Sequence, residues 1–295
     1  MPPTSKDPAA WQAVSRPRSN RLSASGLVRA AAIQMNSGAD VQQNLQAIDR
    51  LLLEASARDV SIAFLPENLA IMGARDEDKL VHAEEPGSGP IQEFLADAAR
   101  RYQLWVVAGS VPLRSPQDGK CYGASIVFDN DGRASPIYRK IHLFDVDLPG
   151  RDERYRESAT MDFGDDFVVV PSPLGQLGLS ICYDLRFPEH YRRLVDDGAT
   201  VFSIPAAFTV ETGKAHWHSL LRARAIENLA YVIAAGQHGS HPSGRTTFGH
   251  SVIIDPWGQV IAELESGDGI VDADIDTALP GKLRAEFPVL EHRRI

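Results

Sequence analysis

Asp59-Val60-Ser61-Ile62-Ala63-Phe64-Leu65-Pro66 and Gly198-Ala199-Thr200-Val201-Phe202-Ser203-Ile204-Pro205 read as one segment written twice. Each is a short apolar run, too brief for a helix, that a proline closes. The repetition continues downstream. Trp105-Val106-Val107-Ala108-Gly109-Ser110 has a counterpart in Tyr231-Val232-Ile233-Ala234-Ala235-Gly236, and each leads into a strand pair. The first pair runs from Ser125 to Asp129 and from Ser135 to Lys140 across Asn130-Asp131-Gly132. The second runs from Ser251 to Asp255 and from Gln259 to Glu263 across Pro256-Trp257-Gly258. Asn, Asp and Gly tolerate the positive φ of tight turns, so the first of these is a strong hairpin signal. The step from Trp105 to Ser125 equals the step from Tyr231 to Ser251, which predicts two similar halves.

Around these strands the pattern alternates between short apolar runs and amphipathic stretches. A first strand is expected from Val28 to Met35, then a helix with Leu45, Ile48, Leu51, Leu52 and Ala55 on one face, and another from about Pro90 to Tyr102. Strands interleaved with helices predict an α/β fold. A half with helices on one sheet face leaves its other face bare and apolar, and packing the two sheets together covers both. The expected fold is a four-layer α-β-β-α sandwich.

Composition narrows the function. The 295 residues are 43% hydrophobic and 23% charged, enough for a large core, and the net charge of -9 opposes binding to nucleic acid or anionic lipid. No apolar run approaches the roughly 18 residues that a membrane helix needs. Cys121 and Cys182 are the only cysteines, with no pairing pattern for a disulfide framework, zinc or redox chemistry, so a reducing compartment, the cytoplasm, is expected. Residues 1–26 carry Lys6, Arg16, Arg18 and Arg21 against Asp7 and no apolar core. That composition reads as a flexible tail, with an organelle transit peptide as the alternative.

Cys182 ends the apolar run Gly178-Leu179-Ser180-Ile181, and Pro188 opens a helix six residues later. A strand-to-helix elbow lifts a sulfur into a crevice and offers backbone N–H groups to an oxyanion, so Cys182 is the candidate nucleophile. Cys121 sits ahead of a strand and reads as structural. Glu67, at the end of Phe64-Leu65-Pro66-Glu67, could take the thiol proton if desolvation raised its pKa. Lys140 ends a hairpin, where a lysine is ordinarily solvated; buried, it would stabilise an oxyanion. Glu157 lies in a loop. The pair His216 and His218 points to different sides of a helix, with no Cys or carboxylate pair to complete a metal site, and Arg224 with Glu227 has the spacing of an ordinary helix ion pair. Nucleotide-binding and serine-hydrolase signatures are absent.

The segments Phe64-Leu65-Pro66-Glu67-Asn68, Tyr138-Arg139-Lys140-Ile141-His142-Leu143-Phe144-Asp145 and Ile181-Cys182-Tyr183-Asp184-Leu185-Arg186-Phe187-Pro188-Glu189 resemble the Glu, Lys and Cys motifs of the nitrilase superfamily, in its order and spacing. The likeness runs over about residues 28–294. It implies a carbon-nitrogen hydrolase domain over 27–295, a four-layer sandwich, a homodimer and no cofactor or metal. It also implies a catalytic set of Glu67, Lys140 and Cys182, with Glu157 as a second glutamate because Tyr155-Arg156-Glu157-Ser158 is similar to the family's aromatic-x-Glu-Ser segment. The stretch between Lys140 and Glu157 is one residue longer than in close relatives. Lys140 and the Tyr183 backbone N–H would hold the oxyanion.

Within the superfamily, Asp184-Leu185-Arg186-Phe187, Thr212-Gly213-Lys214-Ala215-His216-Trp217 and Gly236-Gln237-His238-Gly239 with Phe248-Gly249-His250 resemble the amidases acting on deaminated glutathione. The implied substrate is a small carboxamide carrying a 2-oxo acid, with Arg186 facing its carboxylate and Phe208 and Thr212 lining the pocket. ω-Amidase action on α-ketoglutaramate, acyl transfer to an amine, nitrile hydrolysis and a non-catalytic binding protein of the same fold are the alternatives. The loop His238-Gly239-Ser240-His241-Pro242-Ser243-Gly244-Arg245, long and partly cationic, is expected to read the leaving group.

Overall fold

The computed structural model describes residues 26–147 and 154–294, so the expected N-terminal tail lies, but for Gly26, outside the described residues. The first sheet is built from β1 (Leu27–Gln34), β2 (Ile62–Phe64), β3 (Trp105–Arg114), β4 (Cys121–Phe128) and β5 (Tyr138–Arg139). The second holds β6 (Val169–Ser172), β7 (Gly175–Leu179), β8 (Val201–Ser203), β9 (Tyr231–Ala234), β10 (Ser251–Ile254) and β11 (Val260–Leu264). β12 (Gly269–Asp276) returns to the edge of the first, pairing with β1 along its whole length. Strand orders are β12-β1-β2-β3-β4-β5 and β11-β10-β9-β8-β7-β6, so each sheet has three parallel strands followed by an antiparallel hairpin. The two halves share one topology, as the repeat predicts.

Helices α1 (Val41–Ala57) and α2 (Pro90–Tyr102) cover the first sheet; α3 (Pro188–Asp196) and α4 (Val210–Asn228) cover the second. Local chemistry starts each of them. Asp40 caps α1 by accepting the Gln43 N–H at 3.1 Å, Thr209 caps α4, and Pro90 and Pro188 stand in first turns where a missing N–H costs nothing. The expected face of α1 is the one buried, with Asn44 added to it.

Strand alternation sorts the core into layers. In the first sheet Ala30, Ala32, Ile62, Phe64, Trp105 and Val107 join a cluster with the second half, whereas Ala31, Ile33, Ala63, Val106 and Ala108 pack with Leu45, Ile48, Leu52 and Leu95 of the covering helices. Both faces are dry, which is why these strands read as unbroken apolar runs. The result is the α-β-β-α sandwich.

Both hairpin turns are made alike. Asp129 Oδ1 accepts the Asp131 and Arg133 N–H groups at 2.9 and 2.8 Å, and Asp255 Oδ1 accepts those of Trp257 and Gln259 at 2.9 and 2.8 Å. Only the glycine of each turn, Gly132 and Gly258, needs positive φ; Asn130 and Asp131 do not. Cys121 corrects the sequence reading in one respect: it is the first residue of β4, not a loop residue, and is fully buried. Burial pushes its thiol up to about 11.

Candidate active site

The ends of the parallel strands from both sheets meet, and the candidate residues stand there. Sheet pairing in β2 stops at Phe64, short of the expected strand through Glu67. Leu65 still donates to Val107 O at 2.9 Å, but Pro66 has no N–H to give and the chain leaves the sheet. It can do so because β3 carries Gly109, where a Cβ would come within 2.1 and 2.2 Å of the Leu65 and Pro66 carbonyl oxygens, and because the β3/β4 register shifts between Ala108 and Val111. Glu67 is 5% exposed rather than facing solvent.

Cys182 follows β7 and opens a 3-10 turn, Cys182–Arg186, that passes into α3. Its φ of +50° is one that side chains rarely adopt, a strain of the kind that marks functional turns. Its N–H donates to Pro205 O at 2.8 Å and the Asp184 N–H donates to Ile181 O at 3.1 Å. The Tyr183 N–H lies between them in the first turn, where helix donors lack intrahelical acceptors. Asp184 locks this elbow. Its fully buried carboxylate accepts the Ile181 N–H at 2.8 Å, the Tyr138 hydroxyl at 2.6 Å and the His142 N–H at 3.0 Å, and contacts His142 Nδ1 at 2.7 Å. One side chain thus ties the Cys182 turn to the strand end carrying Lys140. Sequence reasoning assigned Asp184 no role; a charged residue beside the nucleophile was the available signal.

Lys140, 2% exposed and not a solvated tip, places Nζ 2.9 Å from Glu67 Oε1 and 2.8 Å from both Glu157 oxygens. Glu157 begins a 3-10 turn, Glu157–Ala159, and also accepts the Phe144 N–H at 2.6 Å. Glu67 Oε2 accepts the Ala207 N–H at 2.9 Å, and the carboxylate lines the same cavity as Cys182. Glu67, Lys140 and Glu157 form one chain of contacts, and Cys182 lines the same cavity.

The electrostatics correct the expected base. Burial does push the Glu67 carboxyl up, but the Lys140 charge and hydrogen bond, with the Cys182 contact, outweigh it and hold the group below the usual carboxylate range. Burial opposes charge on Lys140 as well, yet Glu157 and Glu67 keep it an ammonium. The Cys182 thiol is driven far above its ordinary value by burial first and the Glu67 charge second. The resting arrangement is therefore thiol, carboxylate and ammonium.

Tyr183, Arg186, Phe208 and Thr212 line the cavity that Cys182 opens into. The Arg186 guanidinium lies over the rings of Phe208 and Tyr183 at 5.4 and 5.7 Å, with His216 Nδ1 at 3.3 Å. Arg245, the last residue of the partly cationic loop expected to read the leaving group, also lines this cavity. One of the paired histidines gains a carboxylate partner from a distant strand. His218 Nε2 meets Glu263 Oε1 at 2.8 Å, and His250 Nδ1 meets the same oxygen at 2.6 Å, so a distant carboxylate does join one of them. The Arg224–Glu227 pair forms at 2.9 Å, with Arg224 also donating to Leu185 O.

The model of the carbon-nitrogen hydrolase family matches residues 29–285. The chain belongs to this family, within the nitrilase superfamily. It is 38% identical over 265 residues to the deaminated glutathione amidase of Yersinia enterocolitica, covering 90% of this chain and 92% of that one. With the Homo sapiens deaminated glutathione amidase it shares 39% over 284 residues, covering 95% and 86%. Among solved structures, Saccharomyces cerevisiae Nit3, a member of branch 10 of the nitrilase superfamily, superposes with a TM-score of 0.81 at 28% identity, over 91% of this chain and 97% of that one. The Caenorhabditis elegans NitFhit protein does so with 0.84 at 36%, over 91% of this chain and 65% of that longer one. This carbon-nitrogen hydrolase thus has the fold of its family.

Proposed function

We propose that this carbon-nitrogen hydrolase is an amidase that cleaves deaminated glutathione through a thioester on Cys182. The observation that carries the reading is that buried Cys182, Glu67 and Lys140 line one cavity, with Glu67 and Lys140 ion-paired at 2.9 Å. In the proposed reaction Sγ attacks the amide carbon while Glu67 takes the thiol proton, and Lys140 with the Tyr183 N–H receives the oxyanion. Collapse expels the amine, protonated by Glu67. Glu67 then deprotonates water, which hydrolyses the thioester. Glu157 holds Lys140 in place and balances its charge.

Arg186 serves as the partner of the 2-oxo-acid carboxylate, since its fork gives two parallel hydrogen bonds and its contacts at this cavity are aromatic faces and a histidine. Phe208 and Thr212 shape the same end. Hydrolysis of deaminated glutathione, α-ketoglutaramate and a simple nitrile, assayed side by side by product formation, tests the reading. Turnover of deaminated glutathione is expected to lead; absence of turnover on both amides overturns it.

The enzyme works as a homodimer in the reducing cytoplasm, where its free thiols persist. Trp257, Phe287 and Ile226 are 60, 53 and 46% exposed, and the first two rings pack edge to face at 5.9 Å, an apolar surface suited to a second copy. In the C-terminal run Phe287-Pro288-Val289-Leu290, Phe287 is exposed while Leu290 packs against its own core. Sedimentation at micromolar concentration checks this, and a monomer contradicts it.

A further inference from the structure

We propose that Arg245 forms an anion subsite that reads a carboxylate on the departing amine, an inference that rests on the amidase reading above. Arg245 lines the cavity of Cys182 and, with Tyr155 and Asp76, also lines an outer cavity that Ser243 and Gly244 border. It is the shared wall between the place where the amide bond breaks and the space beyond it.

The side chain is held for this position. Its guanidinium lies 5.2 Å over the Tyr155 ring and donates to Ala207 O, the residue whose N–H holds Glu67. Its buried Nε has no hydrogen-bond acceptor, and among the described residues no carboxylate pairs with it. The part-buried guanidinium has a backbone acceptor but no counter-ion among the described residues, and a carboxylate at the cavity wall would supply one. Lys140 shows the contrast, because its charge is already met by two glutamates.

The two candidate amides differ in whether they can use this cation. Both present a 2-oxo acid on the acyl side, for which Arg186 suffices. They differ on the other side, where deaminated glutathione releases a dipeptide and α-ketoglutaramate releases ammonia. The dipeptide's terminal carboxylate lies about two residues from the scissile nitrogen, a reach of about 7 Å when extended. A second cation at the cavity wall is what such a leaving group requires and what ammonia cannot use. The ligand class is therefore a peptide-like amine ending in a carboxylate.

The test compares deaminated glutathione with the same molecule carrying a terminal glycinamide, on the wild-type enzyme, Arg245→Gln and Arg245→Lys. The wild type should prefer the free acid by about 30-fold in kcat/KM, chiefly through KM, as one charged hydrogen bond implies. Arg245→Gln should slow both substrates, since the Arg245 charge also acts on Glu67, and should shrink the preference to about threefold or less. Arg245→Lys should restore part of it, a point charge replacing the fork. A wild type indifferent to the terminal charge, or a preference that survives Arg245→Gln, overturns the subsite while leaving the amidase reading standing. A folded wild type that cleaves neither substrate overturns both.

Discussion

The two halves of the molecule set the same scaffold beside two different chemistries. By register, Ala30, Ile62 and Trp105 are neighbours across the first sheet as Leu177, Val201 and Tyr231 are across the second. Counting five residues beyond the first two of each set gives Met35 and Glu67 in one half, Cys182 and Ala206 in the other. The position of the proposed nucleophile in the second half is thus a methionine in the first, and the carboxylate position of the first is an alanine in the second. Met35 stays extended and bridges to Gln237, whereas Cys182 turns into positive φ. Neither half holds the whole cluster: Glu67 and Lys140 belong to the first, Cys182 to the second. Duplication supplies pairs of strand ends, and divergence at those ends, brought face to face by sheet packing, makes the site.

The asymmetry breaks most completely at the sulfur. Cys182→Ala should lower turnover by about four decades or more, with far-UV circular dichroism and melting temperature nearly unchanged, because the side chain adds little to the core. Met35→Cys in that background should restore nothing, and recovered product formation would show that the elbow is not what makes the thiol competent. Lys140→Met leaves Glu67 and Glu157 buried without their shared cation. A loss of about 3 to 5 kcal/mol in denaturant unfolding is expected, along with loss of activity. A variant as stable as the wild type would mean that the two carboxylates do not depend on Lys140.

Gly109 sharpens the comparison, since the equivalent residue of the second half is Ala235. Gly109→Ala must displace the backbone that delivers Glu67, and should cost about 1 to 3 kcal/mol in urea unfolding and lower kcat. Unchanged kcat would separate that close approach from the position of the carboxylate. The smallest effect lies in the pH profile. Glu67 is held below its ordinary value of 4.5, so the acid limb of kcat/KM should fall below about pH 4.5. The linkage has the same sign: the group's contribution to stability is present above 4.5 and is lost as pH falls through the lower folded value. Initial rates measured with the fold monitored by circular dichroism check this, and a limb above pH 5 would restore the desolvation-raised base.

Much was legible in the sequence because strands have a short period and turns have fixed chemistry. The repeated strand segments, Asp129 and Asp255 with their glycines, the α1 face and the helix beginning at Pro90 are local properties, set within a few residues of themselves. The order and spacing of the Glu, Lys and Cys motifs were equally visible, and Glu67, Lys140, Cys182 and Glu157 do converge. What could not be read was every property that depends on which groups become neighbours. Desolvation alone argued for a raised Glu67, but its sign reverses when Lys140 is packed 2.9 Å away. Asp184 gains the Tyr138 and His142 donors from a segment distant in the chain, Gly109 matters only because another strand leaves the sheet above it, and which residue of the cationic loop would reach the cavity, Arg245, could not be read. The physical reason is one of range: backbone conformation and amphipathic pattern are set by near neighbours along the chain, whereas burial, charge balance and the shape of a pocket belong to residues that meet only when the two sheets close on each other.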